Sequence, residues 1–190
     1  HEKMKVTAGN LLQLVNDVLD MNRLETSGLE VEHKPFDIRE VLRGCWTDLE
    51  SQAEKMGLEL EKIGVSEIEC PHVVGSPMHF RQIFANILSN AVKYNKQKGS
   101  LNIHSYLVDQ DYIIEVSDTG RGISLIDQGR VFERFFRCDA GRDKETGGTG
   151  LGLAIVKHIV QYYKGTIHLE SELGKGTTFK VVLPIIKDSL

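Results

Sequence analysis

Cysteine, tryptophan and proline are scarce in this chain, with three, one and four residues among 190. Cys45, Cys70 and Cys138 are odd in number, far apart and without metal-ligand spacing. A disulfide framework and a cysteine zinc site are therefore ruled out as organising devices, and reduced thiols are expected. No apolar run approaches the roughly 20 residues that span a bilayer, and no signal-peptide pattern is present. A basic excess is missing too: 23 Lys and Arg against 27 Asp and Glu give a net charge of −4, which argues against nucleic acid as a partner. What remains is 41% hydrophobic and 26% charged, the make-up of an ordinary globular domain with a short extension.

Residues 1 to about 25 read as a helix whose apolar or small positions, Met4, Ala8, Leu11, Val15 and Val18, recur at heptad spacing, with Leu12 and Leu19 widening the seam. Such a seam needs a partner: its own domain, a second chain or another helix. Thr26, Ser27 and Gly28 end this helix, and Leu29 and Val31 suggest a short strand. Asp37 is an N-cap with Glu40 three residues on, and the helix it opens turns Ile38, Val41, Leu42, Cys45, Leu49 and Ala53 inward. The period-two run from Leu58 to Ile63 predicts a strand, and Val73 and Val74 another brief one.

Ser76 followed by Pro77 opens a further helix. Its wide apolar face carries Ile83, Phe84, Ile87, Leu88, Ala91 and Val92, and a polar row of Gln82, Asn86, Asn90 and Lys93 runs along the other side. Asparagine is a mediocre helix former, so two of them one turn apart point either to a site or to a plain solvated face. Strands over 100–108 and 112–117 form a hairpin, and the second runs into Asp118-Thr-Gly120-Arg-Gly122-Ile123. Val131, Phe132, Phe135 and Phe136 read as an aromatic cluster on a short helix, and the polar stretch 138–146 as a mobile loop. Gly147-Gly-Thr-Gly-Leu-Gly-Leu-Ala-Ile-Val156 then feeds a helix through Tyr163 with Gly165 as its stop. A glycine-rich turn at a helix N-terminus presents unpaired N–H groups to an anion. It is not a Walker loop, because no Gly-Lys-Ser/Thr follows. A last hairpin, 166–172 with 177–183, turns at Gly174-Lys-Gly176.

Taken in order, these motifs resemble the catalytic and ATP-binding domain of sensor histidine kinases, within the GHKL ATPase superfamily, over roughly residues 36–184. Asn86-Ile-Leu-Ser-Asn90-Ala-Val-Lys93-Tyr94-Asn95 is similar to the family's N box, 118–122 to its first glycine box, 132–136 to its F box and 148–152 to its second glycine box. The resemblance implies an α/β two-layer sandwich, a mixed sheet with three helices on one face (the Bergerat ATP-binding fold). It divides the chain into residues 1–28, the C-terminal part of the second dimerisation helix, and residues 29–190, the catalytic domain.

It also implies ATP and Mg2+ as cofactors. Asp118 would accept the adenine amino proton, Asn90 would ligate Mg2+, and Asn86 would bond the phosphates or the metal's water shell. Lys93 would offer a charge and Tyr94 a hydroxyl to the phosphates. Gly148, Thr149, Gly150, Leu151 and Gly152 would cradle them. Gly120, Gly122, Ile123 and Thr178 would also face the nucleotide, and Arg137 would reach the γ-phosphate. Residues 121–146 become a lid hinged at Gly120/Gly122 and Gly147/Gly148, with the aromatic cluster pinning its base. Where ATPases of the superfamily carry a glutamate, this chain has Asn86, whose amide lacks the basicity to activate water. Asn86, Asn90 and Lys93 are thus the expected catalytic residues of a protein-histidine kinase.

The implied partners are a phosphoacceptor histidine helix of the same or the partner protomer and a response-regulator receiver domain, in a full-length homodimer. The implied location is cytoplasmic, with an inner-membrane sensor as one form of the parent protein. The family's His-Glu-x-x-Thr-Pro-like acceptor box is absent, because His1-Glu2-Lys3-Met4 lacks its remainder and lies too close to the 19–25 motif. Ser76-Pro77-Met78-His79 also departs from the family pattern, where aspartate and arginine are usual. Two rival readings are a degenerate partner-binding domain and a serine kinase of the same superfamily. Loss of nucleotide binding would favour the first, and an acid-stable phosphoprotein the second.

Overall fold

A period of two in the strands and of 3.6 in the helices sorts this chain into two layers. The structure, a computed structural model, describes residues 2–26, 32–58, 63–68, 72–138 and 148–184. The elements are α1 (Glu2–Thr26), β1 (Lys34–Asp37), α2 (Ile38–Lys55), β2 (Ile63–Ile68), β3 (His72–Gly75), α3 (Pro77–Lys93), β4 (Leu101–Val108), β5 (Asp111–Asp118), α4 (Leu125–Gln128), α5 (Gly152–Tyr162), β6 (Thr166–Glu172) and β7 (Gly176–Pro184). Five strands form one sheet in the order β2-β4-β5-β7-β6, with β2 parallel to β4 and the other pairs antiparallel. β1 and β3 make a small antiparallel ladder of their own. The fold is the mixed-sheet α/β sandwich that the sequence motifs imply.

Alternation along β4 buries Leu101, Ile103 and Ser105 and exposes Asn102 and His104, so one face of the sheet is covered. α2, α3 and α5 supply the cover. In α3, Phe80, Ile83, Phe84, Ile87, Leu88, Ala91 and Val92 are all essentially inaccessible. Burying such side chains stabilises a fold by about 1.5–3 kcal/mol each. α2 buries Ile38, Leu42, Cys45 and Ala53 as its pattern predicts, and also Trp46. α1 lies outside, against α5: Leu14, Met21 and Leu24 pack on the core, whereas Leu11, Leu12, Val15, Val18 and Leu19 stay exposed.

Two expectations need correction, and others fall wholly or partly outside the described residues. Of the strand predicted over 58–63, Leu58 follows the turn after α2 and Ile63 is in β2, while residues 59–62 lie outside the described residues. The aromatic cluster 131–136 is not helical. The helix there is α4, one turn earlier, and Phe135 takes a φ of 63°, which no helix interior allows. At the end of α5 the left-handed residue is Lys164, with φ 57°, rather than Gly165. Gly165 is demanded by space, since a Cβ there would lie 2.3 Å from the Val182 carbonyl oxygen. The strand expected at Leu29 and Val31, the thiol of Cys70 and most of the 138–146 loop belong to residues that are not described.

α2 starts with a strong local device. Asp37 accepts from Arg39 N at 2.8 Å and, through both carboxylate oxygens, from the Arg39 guanidinium at 2.6–3.0 Å. These donors, the side chain first, hold the Asp37 carboxyl below its ordinary value. A depressed folded value means stability that is present above the ordinary carboxylate range and lost as pH falls through the folded value. Asp37→Ala should cost about 1 kcal/mol in urea unfolding at neutral pH, and the gap to the parent chain should close in acid.

Candidate functional site

At the end of the sheet where β5 finishes, a cleft of about 1020 Å³ opens between α3, α5 and α1. The buried face of α3 fixes its rotation, and this turns Asn86, Ser89, Asn90 and Lys93 into the cleft. Asn86 Nδ2 donates to the Gln82 carbonyl at 2.8 Å, which leaves its oxygen facing the N-terminus of α5. A Cβ on Gly152 would sit 2.6 Å from that oxygen, so only glycine lets the helix start this close. The Asn90 amide, half-buried, forms no hydrogen bond among the described residues, and its oxygen suits a hard cation such as Mg2+. Lys93 and Tyr94 reach the glycine loop: a Cβ on Gly148 would be 2.7 Å from Lys93 Nζ and 3.9 Å from the Tyr94 hydroxyl. The Tyr94 ring also lies beside two cations, Lys93 at 4.8 Å and Arg121 at 4.5 Å from its centroid.

The opposite end of the cleft is built on Asp118. Its Oδ1 accepts from Gly120 N at 2.8 Å. Burial dominates its ionisation and pushes the carboxyl up to about 6, against the pull of the Gly120 and Thr177 backbone N–H groups. Gly122, Ile123, Val131 and Phe179 add an apolar wall beside it. Gly120 and Leu151 stand behind the surface, and Thr178 turns away, its hydroxyl bonding Ser117 at 2.9 Å. Thr177, the next residue toward the chain start, is the one on the cleft. The β7 period of two decides between them.

The glycine loop and residues 130–136 are tied together. Gly150 has a φ of 72°, and its carbonyl accepts from Phe135 N at 2.9 Å. A Cβ on Gly150 would come within 2.8 Å of the Phe135 backbone. Phe132 packs edge-on to Phe179 at 6.4 Å, and Arg130 covers the Phe136 ring at 4.4 Å. Phe135 itself is 61% exposed, so it is the backbone rather than the ring that pins this point. Arg137 lines the cleft, as does Cys138. Cys45 lines it as well, a free thiol pushed up by burial.

Sequence reasoning missed one side chain here. Asp17 of α1, only 7% exposed, accepts from the Thr149 hydroxyl, and Thr149 Oγ1 in turn accepts from Leu151 N at 3.2 Å. Gln13 Nε2 donates to its other oxygen at 2.8 Å. The available signal was an acidic residue on the packed side of the helix, three positions after Leu14 and four before Met21.

Residues 75–187 match the family described as histidine kinase-, DNA gyrase B- and HSP90-like ATPases, and the chain belongs to that family. Within it, the similar proteins are sensor histidine kinases. The chain is 32% identical over 179 residues to the circadian input-output histidine kinase CikA of Synechococcus elongatus, which covers 92% of this chain and 23% of that protein. It is 34% identical over 178 residues to the phosphate regulon sensor protein PhoR of Pseudomonas aeruginosa, covering 94% and 40%. The crystal structure of full-length ShkA in complex with AMPPNP superposes with a TM-score of 0.80 at 29% identity, over 97% of this chain and 38% of that one. The chain thus spans about a quarter to two-fifths of the length of these curated relatives. Among the described residues no helix is long and apolar enough to cross a membrane.

Asp118 gives this site a measurable signature. Its ordinary value is 3.8 and its folded value about 6, so between them the folded chain holds a proton that the unfolded chain has lost. That contribution is present in acid and disappears as pH rises through 6. Asp118→Asn should therefore stabilise the nucleotide-free chain at pH 7.5 by roughly 1–3 kcal/mol and flatten this part of the stability profile. Thermal unfolding between pH 5 and 7.5 reads both effects.

Proposed function

We propose that this chain binds Mg2+-ATP in the α3/α5 cleft and donates the γ-phosphoryl to a histidine on a helix outside it, for relay to an aspartate of a response regulator. Residues 1–28 are then the end of the second dimerisation helix of a homodimeric sensor kinase, and residues 29–190 its cytoplasmic catalytic domain. The observation that carries this reading is one cleft with a half-buried carboxylate at one end and two asparagines, a lysine and a glycine loop at the other. Adenine has a donor amine for Asp118, and a polyphosphate has the negative charge that Lys93 and the α5 N-terminus favour. The complex of ShkA with AMPPNP adds support from a relative of the same fold.

In this reading each residue acts by holding, not by bond-making. Asp118 selects the base through one hydrogen bond inside an apolar wall. Backbone N–H groups of residues 148–152 and the Lys93 ammonium hold the phosphates, with Tyr94 and Arg137 as further donors. Asn90 fits as a ligand of Mg2+, which when bound would neutralise charge on the polyphosphate. Asn86 orients phosphate or water but cannot take a proton from water, so a positioned imidazole outcompetes water as acceptor. Positioning and charge compensation are what phosphoryl transfer chiefly asks of a protein.

Calorimetric titration with AMP-PNP tests the reading: saturable binding strengthened by Mg2+ is expected, and no binding at millimolar nucleotide would overturn it. Asn90→Ala should remove the gain from Mg2+ without unfolding the chain, as circular dichroism would verify. Asp118→Asn should weaken ATP by about 1.5–3 kcal/mol, the range for a hydrogen bond to a charged group, and spare the weaker GTP. With a histidine-bearing helical hairpin added, the labelled product should lose its phosphate in acid; an acid-stable product would assign the chemistry to serine instead.

A further inference from the structure

The turn after β5 carries a cation to which the nucleotide reading gives no task. The backbone of Arg121 is held on both sides: its N–H donates to the Tyr94 carbonyl at 3.1 Å, and its carbonyl accepts from Gly174 N–H at 2.8 Å. The chain is also pressed against the end of α3, since a Cβ on Gly120 would lie 2.3 Å from the same Tyr94 oxygen. From these fixed points the side chain reaches over the Tyr94 ring, 4.5 Å from its centroid, and lines the cleft. Lys93 lies 4.8 Å from the same centroid, so one ring gathers two positive charges. Two like charges brought to one ring repel each other, and a cleft focuses their field on whatever anion enters.

We infer that Arg121 is a nucleotide-holding residue, which with Lys93 clamps the phosphate next to the sugar, the α-phosphate; the inference rests on the proposed nucleotide site. Position selects the phosphate. Arg121 follows Asp118, at the base end, by three residues, whereas Lys93 stands beside Gly148 at the glycine loop. In a nucleoside polyphosphate laid between those ends, the first group after the sugar is the α-phosphate, and the cation nearer the base end meets it. Side-chain chemistry suits the task. A guanidinium held against an aromatic face keeps its in-plane N–H donors for another partner, and two of them match two phosphate oxygens. The Lys93 ammonium adds a point charge from the glycine-loop side. Arg121 is exposed, so solvent screening keeps its effect near tenfold.

The test compares the whole chain with Arg121→Ala and Arg121→Lys, folding being checked by circular dichroism. Adenosine, which has no phosphate, AMP, which has only the inner one, and AMP-PNP with Mg2+ are titrated into each. Arg121→Ala should lose about tenfold in affinity for AMP and for AMP-PNP alike and bind adenosine as the parent does. Arg121→Lys keeps the charge without the fork, so its loss for AMP should be smaller, about threefold, with none for adenosine. This second variant decides the matter where the first does not fold. AMP affinity unchanged in the folded variants, a loss shared equally by adenosine, or a loss confined to AMP-PNP overturns the clamp and leaves the nucleotide reading standing. If the parent binds neither AMP nor AMP-PNP, the nucleotide reading fails and the clamp fails with it.

Discussion

Seven large or apolar side chains on one face of α3 have a single way to be buried together, and that constraint sets the rest of the molecule. Rotating α3 by one residue would drive Asn86 or Asn90 into the sheet, at the cost of a buried amide without partners. With the rotation fixed, the polar row faces the one place where the sheet ends and α5 begins. The cleft is therefore a by-product of core packing: the residues that face it are those left over when the hydrophobic stripe has been satisfied.

Asp118 shows the opposite economy. A carboxyl whose ionised form is disfavoured by burial weakens the fold that holds it, and two backbone N–H groups only partly offset this. Such a residue persists where its charge or its acceptor oxygens have a use beyond folding. The same tension recurs at Phe135 and Gly150, where a positive φ on a non-glycine residue is held by a hydrogen bond to a neighbour that must itself be glycine. Strain at these points lies beside the cleft and not in the core.

Much of this was legible beforehand, for physical reasons that differ between elements. Asp37 and Ser76 announce α2 and α3 because an N-cap is a local interaction, settled within three residues. The hairpins β4–β5 and β6–β7 are equally local. Legibility failed where a long-range contact outweighs a short-range pattern. The phenylalanines of 132–136 are spaced like a helix face, but the Phe135 backbone is bound to the glycine loop and the Phe132 ring packs against Phe179 of β7. The choice between Thr177 and Thr178 depended on which side of β7 faces the helices, which one strand's sequence alone does not state. Asp17 was invisible because its partner is 132 positions away. Trp46 was passed over on the inward face of α2 because only the residues at regular spacing were counted.

The hydrogen bond from Phe135 to Gly150 has a wider consequence. It ties the segment 130–136 to the turn that opens α5, so a tilt of that segment would carry the α5 N-terminus with it. A spectroscopic label on residues 130–136 would therefore read the electrostatic head of α5 directly.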